Sequence, residues 1–220
     1  SAPAMKVTFL GTGTSHGVPQ IDCMLRGYER CPKNVCRESE TDPRHRRTRS
    51  SALVAYHGHR VLIDISQDFR RQALRERIPG IDAVLITHKH ADHIGGLPDI
   101  RSYCRDADHP LDVYASAETV GHIRRSFSYA FDPDAFEGGG IPKLRTNVID
   151  GPFELFGATI TPVPVRHGNL RGCYGFRIDN LGYVPDMKSM PESSVALVKD
   201  LDLLVLNCLR DQREHGTHMI

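Results

Sequence analysis

The sequence predicts an α+β protein in which two mixed β-sheets pack face to face with helices on the outside. Many short apolar, strand-like runs occur along the 220 residues, and helical segments are interspersed among them. Strands and helices do not alternate regularly, as they would around one parallel sheet, and this favours two packed sheets. Since no repeat, low-complexity tract or linker divides the chain, we expect one domain over residues 5–220, preceded by an expression scar at residues 1–4.

The predicted strands are short apolar runs bounded by turn residues. The first three span residues 6–10, 52–56 and 61–65, and His57-Gly58-His59 between the last two predicts a hairpin turn with solvated histidines. The remaining strands are predicted at residues 83–87, 111–115, 154–156, 158–163, 174–178 and 203–206.

Helices are predicted where apolar residues recur at helical spacing. The segment 68–77 places Phe69 and Ala73 on one face, and Pro79-Gly80 ends it. The other predicted helices span residues 97–104, 118–126 and 192–199. Residues 133–143, with three consecutive glycines, are expected to form a long loop.

The segment His88-Lys89-His90-Ala91-Asp92-His93 carries the strongest indication of function. It directly follows a predicted core strand, and side chains two residues apart can point to the same side of an extended or turning backbone. His88 and His90 can therefore bind one divalent ion, whereas Asp92 and His93, beyond the bend, face a second one. Imidazole and carboxylate ligands suit zinc and related first-row metals.

Composition and charge make several classes of protein poor candidates. The 28 basic and 27 acidic residues give a net charge of +1, so bulk charge attracts neither nucleic acid nor a membrane. No apolar run approaches the roughly 18 residues of a membrane span. Without a secretory signal region, and with six cysteines that suggest no disulfide framework, we expect a cytoplasmic protein.

The histidine motif belongs to a wider pattern that resembles the metallo-β-lactamase superfamily. Leu10-Gly11-Thr12-Gly13-Thr14-Ser15 precedes the motif, and an isolated histidine and an isolated aspartate follow it. The resemblance implies a four-layer αβ/βα sandwich with the metals at one edge. The ligands that it implies are His88, His90 and His167 at the first site, Asp92 and His93 at the second, and Asp186 between the two ions.

Two departures from the family pattern concern the second site. Pro185 stands where a small hydroxyl residue usually precedes the bridging aspartate, and proline removes a backbone donor. The family's last ligand belongs to a Thr-His-x-x-His-like segment after one more helix and strand, which the sequence to Ile220 does not contain. Three explanations of the missing ligand remain open: the chain is shortened, the second site is incomplete, or a second copy in a homodimer donates the ligand.

Three further features resemble the phosphodiesterase (PhnP-type) branch of the superfamily, which is related to ribonuclease Z. They are Thr14-Ser15-His16-Gly17-Val18-Pro19, the cysteines after it, and Arg46-Arg47-Thr48-Arg49-Ser50-Ser51. The resemblance implies a structural zinc, for which Cys23, Cys31 and Cys36 are the candidates, although they lack Cys-x-x-Cys spacing. Free thiols in a loop are the alternative.

The same branch implies a late histidine that protonates the leaving group. His218 aligns best with that position, His215 is a weaker alternative, and a solvated tail would leave both without a role. Arg46 and Arg49 are candidates for a two-pronged grip on the substrate phosphate, although a run of charges entering a strand is as often just a solvated surface.

The sequence thus predicts a metal-dependent hydrolase, and first of all a phosphodiesterase that cleaves a small cyclic or nucleotide-like phosphodiester with a metal-bridging hydroxide. Two zinc ions, or manganese, are expected at the active site, with Asp92 and His218 as catalytic residues. Hydrolysis of a thioester or lactone on the same dinuclear site and a non-catalytic scaffold are the alternatives. Because no long basic arm occurs, we expect a small-molecule substrate and neither nucleic acid nor a membrane as partner.

Overall fold

Two mixed β-sheets form the centre of the fold, which confirms the predicted α+β architecture. The structure is a computed structural model that describes residues 5–104, 109–132, 140–209 and 218. Within these residues, the first sheet has six strands in the order in which they occur along the chain: β1 (Lys6–Gly11), β2 (Ser51–Tyr56), β3 (His59–Ile63), β4 (Ala83–Leu85), β5 (Leu111–Ala115) and β6 (Leu144–Val148).

The second sheet has five strands in the order β11-β10-β9-β8-β7. These strands are β7 (Phe153–Leu155), β8 (Ala158–Pro164), β9 (Tyr174–Ile178), β10 (Leu181–Val184) and β11 (Leu203–Leu206). Strands β1 to β3 pair antiparallel and β3 to β6 pair parallel, whereas in the second sheet only β10 and β11 are parallel.

Alternating side chains bury both faces of the first sheet. Val61 and Ile63 of β3 face the second sheet, where they belong to the same apolar cluster as Phe176. Leu62, between them, faces the outer helices and packs in a cluster with Phe69. Since successive side chains of a strand point to opposite faces, a continuous apolar run such as this one is typical of a strand covered on both sides.

Helices cover the outer faces of the sheets and complete the four layers. The first sheet is covered by α3 (Phe69–Glu76), α5 (Ala117–Ser126) and a 3-10 helix at Leu97–Tyr103, whereas α6 (Glu192–Leu197) lies against β8. Three shorter helices lie in the connections: α1 (Ile21–Leu25), α2 (Val35–Thr41) and α4 (Ala91–Ile94). Additional 3-10 turns lie at Pro32–Asn34, Pro43–His45 and Ser128–Ala130.

The predicted hairpin turn is confirmed for two of its three residues. His57 and Gly58 connect β2 to β3, with φ angles of 47° and 79°. Positive φ at both central residues is the geometry of a two-residue hairpin loop that matches the strand twist. His59 instead begins β3, and its ring stacks on that of Phe156 with 4.1 Å between the centroids.

Two strands, β6 and β10, are missing from the sequence prediction. Strand β6 is largely polar, and its Arg145 and Asn147 bond to Asp112 of β5 instead of entering the core. Strand β10 has only four residues and contains Gly182. A Cβ atom there would lie 2.7 Å from the terminal methyl groups of Leu201 and Leu204, so these leucines pack directly against the glycine backbone.

The helix predicted at residues 97–104 is a 3-10 helix. Helices α1 and α4, with five and four residues, were not predicted because they are too short for apolar periodicity to appear, and α2 was not predicted because its sequence VCRESET is mostly polar. No helix in the described part of the chain is both long and apolar enough to cross a lipid bilayer. Residues 133–139 of the predicted long loop and the predicted scar at residues 1–4 lie outside the described residues.

Candidate metal centre

The residues implied as metal ligands come together at one edge of the sandwich, where strands of both sheets end. The His88–His93 motif follows the end of β4, and α4 begins directly after His90. His167 follows the end of β8, and Asp186 follows the end of β10. The two sheets are joined here, because the backbone N–H of Tyr174, at the start of β9, donates to the carbonyl of Thr87 at 2.9 Å.

Three imidazoles form the first predicted site. The Nδ1 atom of His90 lies 3.0 Å from Nε2 of His88 and 3.3 Å from Nε2 of His167. The rings of His88 and His167 are buried, whereas His90 is exposed at the mouth of the site. Nitrogen ligands around a tetrahedral zinc ion lie about 3.3 Å apart, so this spacing fits one zinc ion.

Asp186 links this site to the second one. Its Oδ2 lies 2.6 Å from Nε2 of His93 and 4.0 Å from Nε2 of His88, while its Oδ1 lies 2.8 Å from Nε2 of His218. Asp92 also lies at the second site, with its Oδ2 3.2 Å from Nε2 of His93. The structure therefore brings all six implied ligands together, and it places His218 beside them.

The protonation states of these side chains suit a divalent cation. Burial lowers the pKa of both His88 and His90, so that these rings are neutral and offer their lone pairs near neutral pH. Burial alone would raise the pKa of Asp186, but hydrogen bonds with His218 and His93 hold it well below its usual value. Neutral imidazoles next to a buried carboxylate anion are a donor set that fits zinc or a similar metal.

Asp64 is a second buried carboxylate, and the sequence prediction missed it. Its Oδ2 lies 2.6 Å from Nδ1 of His93, on the side of the ring that faces away from Asp186. Coulomb attraction from Asp64 and a hydrogen bond with Asp186 outweigh the effect of burial and raise the pKa of His93 well above its usual value. One signal in the sequence could have found it: Asp64 stands between Ile63 and Ile65, inside a predicted core strand. A carboxylate that is buried in a core needs polar partners, which would have made Asp64 a candidate for the site.

The three candidate cysteines for a structural zinc also form a cluster. The sulfur atoms of Cys23, Cys31 and Cys36 all lie within 4.8 Å of one another. The backbone N–H of Cys36 donates to Sγ of Cys31 at 3.3 Å, and Cys36 is buried. Burial and hydrogen bonds with Cys36 and Cys31 raise the pKa of the Cys23 thiol to about 12. Three convergent sulfurs supply three of the four ligands of a structural zinc, which stays a prediction.

Replacing Cys36 with serine is expected to lower the zinc content by about one equivalent and to destabilise the protein, because a structural zinc contributes directly to folding free energy. Metal analysis of the purified protein and thermal unfolding measure both effects. Cys104→Ser is the matched control, since Cys104 is a half-buried thiol outside the cluster. An unchanged zinc content in Cys36→Ser would favour the alternative of free thiols.

The two arginines proposed for substrate phosphate bond to the chain itself. The guanidinium of Arg49 pairs with Asp68 at 3.0 Å and donates to the carbonyl of Ser15 at 2.8 Å. Arg46 donates to the carbonyls of Ser39, at 2.9 Å, and Glu40, at 3.3 Å. These contacts attach the two arginines to the glycine-rich loop, to α2 and to Asp68. They do not support a role in phosphate binding, which stays a prediction. His215 lies outside the described residues.

Comparison with known proteins places these features in a family context. The model of the β-lactamase superfamily domain matches residues 59–220. Among curated proteins, an octanoyltransferase of Porphyromonas gingivalis is 38% identical over 215 residues, which are 97% of this chain and 41% of that protein. The chain thus spans about two fifths of the length of this relative.

Among solved structures, a diphosphatase from the PhnP family is 38% identical and has a TM-score of 0.83, with 98% of this chain and 78% of the other covered. Zinc-bound PqqB from Methylobacterium extorquens is 22% identical with a TM-score of 0.67, and the match covers 92% of this chain and 73% of the other. The second likeness concerns the fold alone.

Proposed function

Because this chain belongs to the β-lactamase superfamily and, within it, to the PhnP family, we propose that it is a metal-dependent phosphodiesterase acting on a small cyclic or nucleotide-like phosphodiester. The observation that carries the proposal is the convergence of four imidazoles and two carboxylates at the edge of the sandwich: His88, His90, His93, His167, Asp92 and Asp186. Two divalent ions, when bound there, would activate a water nucleophile and neutralise charge on the phosphate group.

The residues of the chain supply the rest of the chemistry. The ring nitrogens of His88, His90 and His167 lie within 4.8 Å of one another, so that one ion could bind all three, and burial keeps His88 and His90 neutral by lowering their pKa. Asp186 holds its carboxylate between the two sites, because it faces His88 and His93 with one oxygen. The other oxygen, 2.8 Å from Nε2 of His218, orients this imidazole at the site, where it can give a proton to the departing alkoxide.

The comparisons support the phosphorus chemistry at the level of class. The structure that is 38% identical is named a diphosphatase, and this chain covers 78% of it. The name octanoyltransferase belongs to a relative of which this chain spans 41%. That name favours a second candidate, hydrolysis of an octanoyl or other thioester, or of a lactone, on the same pair of ions.

The test is metal content and turnover of the same sample. Protein loaded with zinc is expected to bind about two ions at the active site and to cleave bis(p-nitrophenyl) phosphate, while an octanoyl thioester is left intact. Manganese is the second metal to try. Absence of phosphodiester turnover in a sample with both ions bound would contradict the proposal, and cleavage of the thioester alone would favour the second candidate.

A further inference from the structure

A buried set of hydrogen bonds connects one ligand of each metal site. Thr87 Oγ1 lies 3.0 Å from Nδ1 of His88 and 3.5 Å from Nδ1 of His93, and the hydroxyl donates to Oδ2 of Asp64 at 2.8 Å. The same Oδ2 lies 2.6 Å from Nδ1 of His93. None of these four side chains is more than 1% exposed. Together they form what we call the Thr87 network: Asp64, Thr87, His88 and His93.

The two histidines contact the rest of the Thr87 network through their Nδ1 atoms. His88 turns Nε2 toward His90, and His93 turns Nε2 toward Asp186, so Nε2 is the ligand atom of each ring. When Nε2 of each ring binds an ion, the remaining ring proton resides on Nδ1, where His88 can donate to the Thr87 hydroxyl and His93 to Asp64. A ligating histidine usually donates its second ring N–H in this way, which fixes the orientation of the ring.

Two hydrogen bonds fix the backbone of Thr87. Its backbone N–H donates to Oδ1 of Asp64 at 2.8 Å, and its carbonyl accepts from the N–H of Tyr174 at 2.9 Å. Because the backbone is fixed and the site is closed to water, the hydroxyl has its acceptor, Asp64, and its donor, His88, in fixed positions. A hydroxyl can serve both at once, since it has one proton and two lone pairs.

We propose that Thr87 is a positioning residue shared by the two metal sites. Its hydroxyl orients His88 at the first site directly, and it holds the Asp64 carboxylate that orients His93 at the second. The affinities of both sites therefore depend on one hydroxyl group. This inference rests on the proposed dinuclear function and assigns a role to a side chain that binds no ion itself.

The test is a zinc titration of Thr87→Val against a chromophoric chelator. Both stepwise zinc affinities are expected to fall, each by about 10- to 100-fold, as is typical when the partner of a ligating histidine is lost. Thr87→Ser keeps the hydroxyl and is expected to restore both affinities to within a few-fold of the parent protein, which a purely steric role of the threonine would not predict.

A second buried threonine offers a matched control. Thr119 in α5 is also 1% exposed, and its hydroxyl lies 3.0 Å from that of Ser116, where it contacts none of the metal-binding residues. Thr119→Val makes the same chemical change at similar burial, and it is expected to leave both zinc affinities unchanged.

The possible outcomes separate this inference from the proposed function. If the parent protein binds fewer than two ions in addition to any zinc at the cysteine cluster, the dinuclear proposal itself fails. If the parent binds two and folded Thr87→Val retains both affinities, or loses only one, the shared role of Thr87 is wrong. Should Thr87→Val fail to fold, Thr87→Ala removes the same hydroxyl with a smaller side chain, and there loss at both sites supports the inference whereas loss at one site overturns it.

Discussion

Replacing Asp186 with alanine is expected to lower kcat for a phosphodiester by at least about 10³-fold, because this carboxylate is the proposed ligand shared by the two metal sites. One oxygen faces His93 and His88, and the other faces His218. The variant therefore loses the anion between the two proposed metal sites and also the group that contacts His218. Charge stabilisation by a pair of ions is worth several kcal/mol, which corresponds to roughly three powers of ten in rate.

The measurement is kcat together with metal content in the same preparation. Asp112→Ala is the control, since the carboxylate of Asp112 pairs with Arg145 between β5 and β6, at 2.6 Å, and contacts no residue of the metal centre. It is expected to leave turnover unchanged. An Asp186→Ala protein with two bound ions and normal turnover would contradict the assignment of Asp186 as a shared ligand.

Replacing His218 with alanine is expected to slow the cleavage of an alkyl phosphodiester by about 10²- to 10⁴-fold, the usual contribution of a general acid. An alkoxide is a poor leaving group and requires a proton, and we propose that the His218 imidazole, which lies beside Asp186, supplies it. A p-nitrophenolate leaves without a proton, so cleavage of a nitrophenyl ester is expected to change far less. The ratio of the two rates is the diagnostic quantity.

Two further measurements complete this experiment. Metal content must remain at the parent level, since a loss of ions would slow both substrates alike and would make His218 a ligand instead of an acid. His57→Ala, at the exposed hairpin turn, is the control and is expected to leave both rates unchanged. A thioester or lactone hydrolase has no use for a late acid, so equal rates before and after the change of His218 would favour that alternative.

The metal ligands that could be predicted from the residues themselves are those that lie close together in the sequence. The His88–His93 motif could be interpreted from spacing alone, because its four donors follow one strand within six residues. His167 and Asp186 are isolated in sequence and could be assigned only from their order in a resembling family. Their common position depends on β8 and β10 ending at the same edge as β4, and β10 itself was not predicted.

The contacts that sequence reasoning missed are those between distant positions. Asp64 lies 23 residues before Thr87 and 29 before His93, and no local pattern indicates that an acidic residue near the end of β3 meets either of them. The same limit applies to Arg49, whose charge suggests a bound phosphate. In the packed fold its guanidinium pairs with Asp68, nineteen residues later, a contact that the sequence did not indicate, while a role in phosphate binding stays a prediction.

Because the proposed ligands follow strands of both sheets, metal binding is expected to stabilise the fold. His88 and His90 follow a strand of the first sheet, whereas His167 and Asp186 follow strands of the second, so a bound ion joins the two halves as a cross-link would. Ions that bind only this assembled state stabilise it by mass action, with about 2.7 kcal/mol per site at a free concentration 100 times the Kd. Chelators should therefore loosen the entire sandwich, and the resistance of the protein to heat should follow the supply of metal.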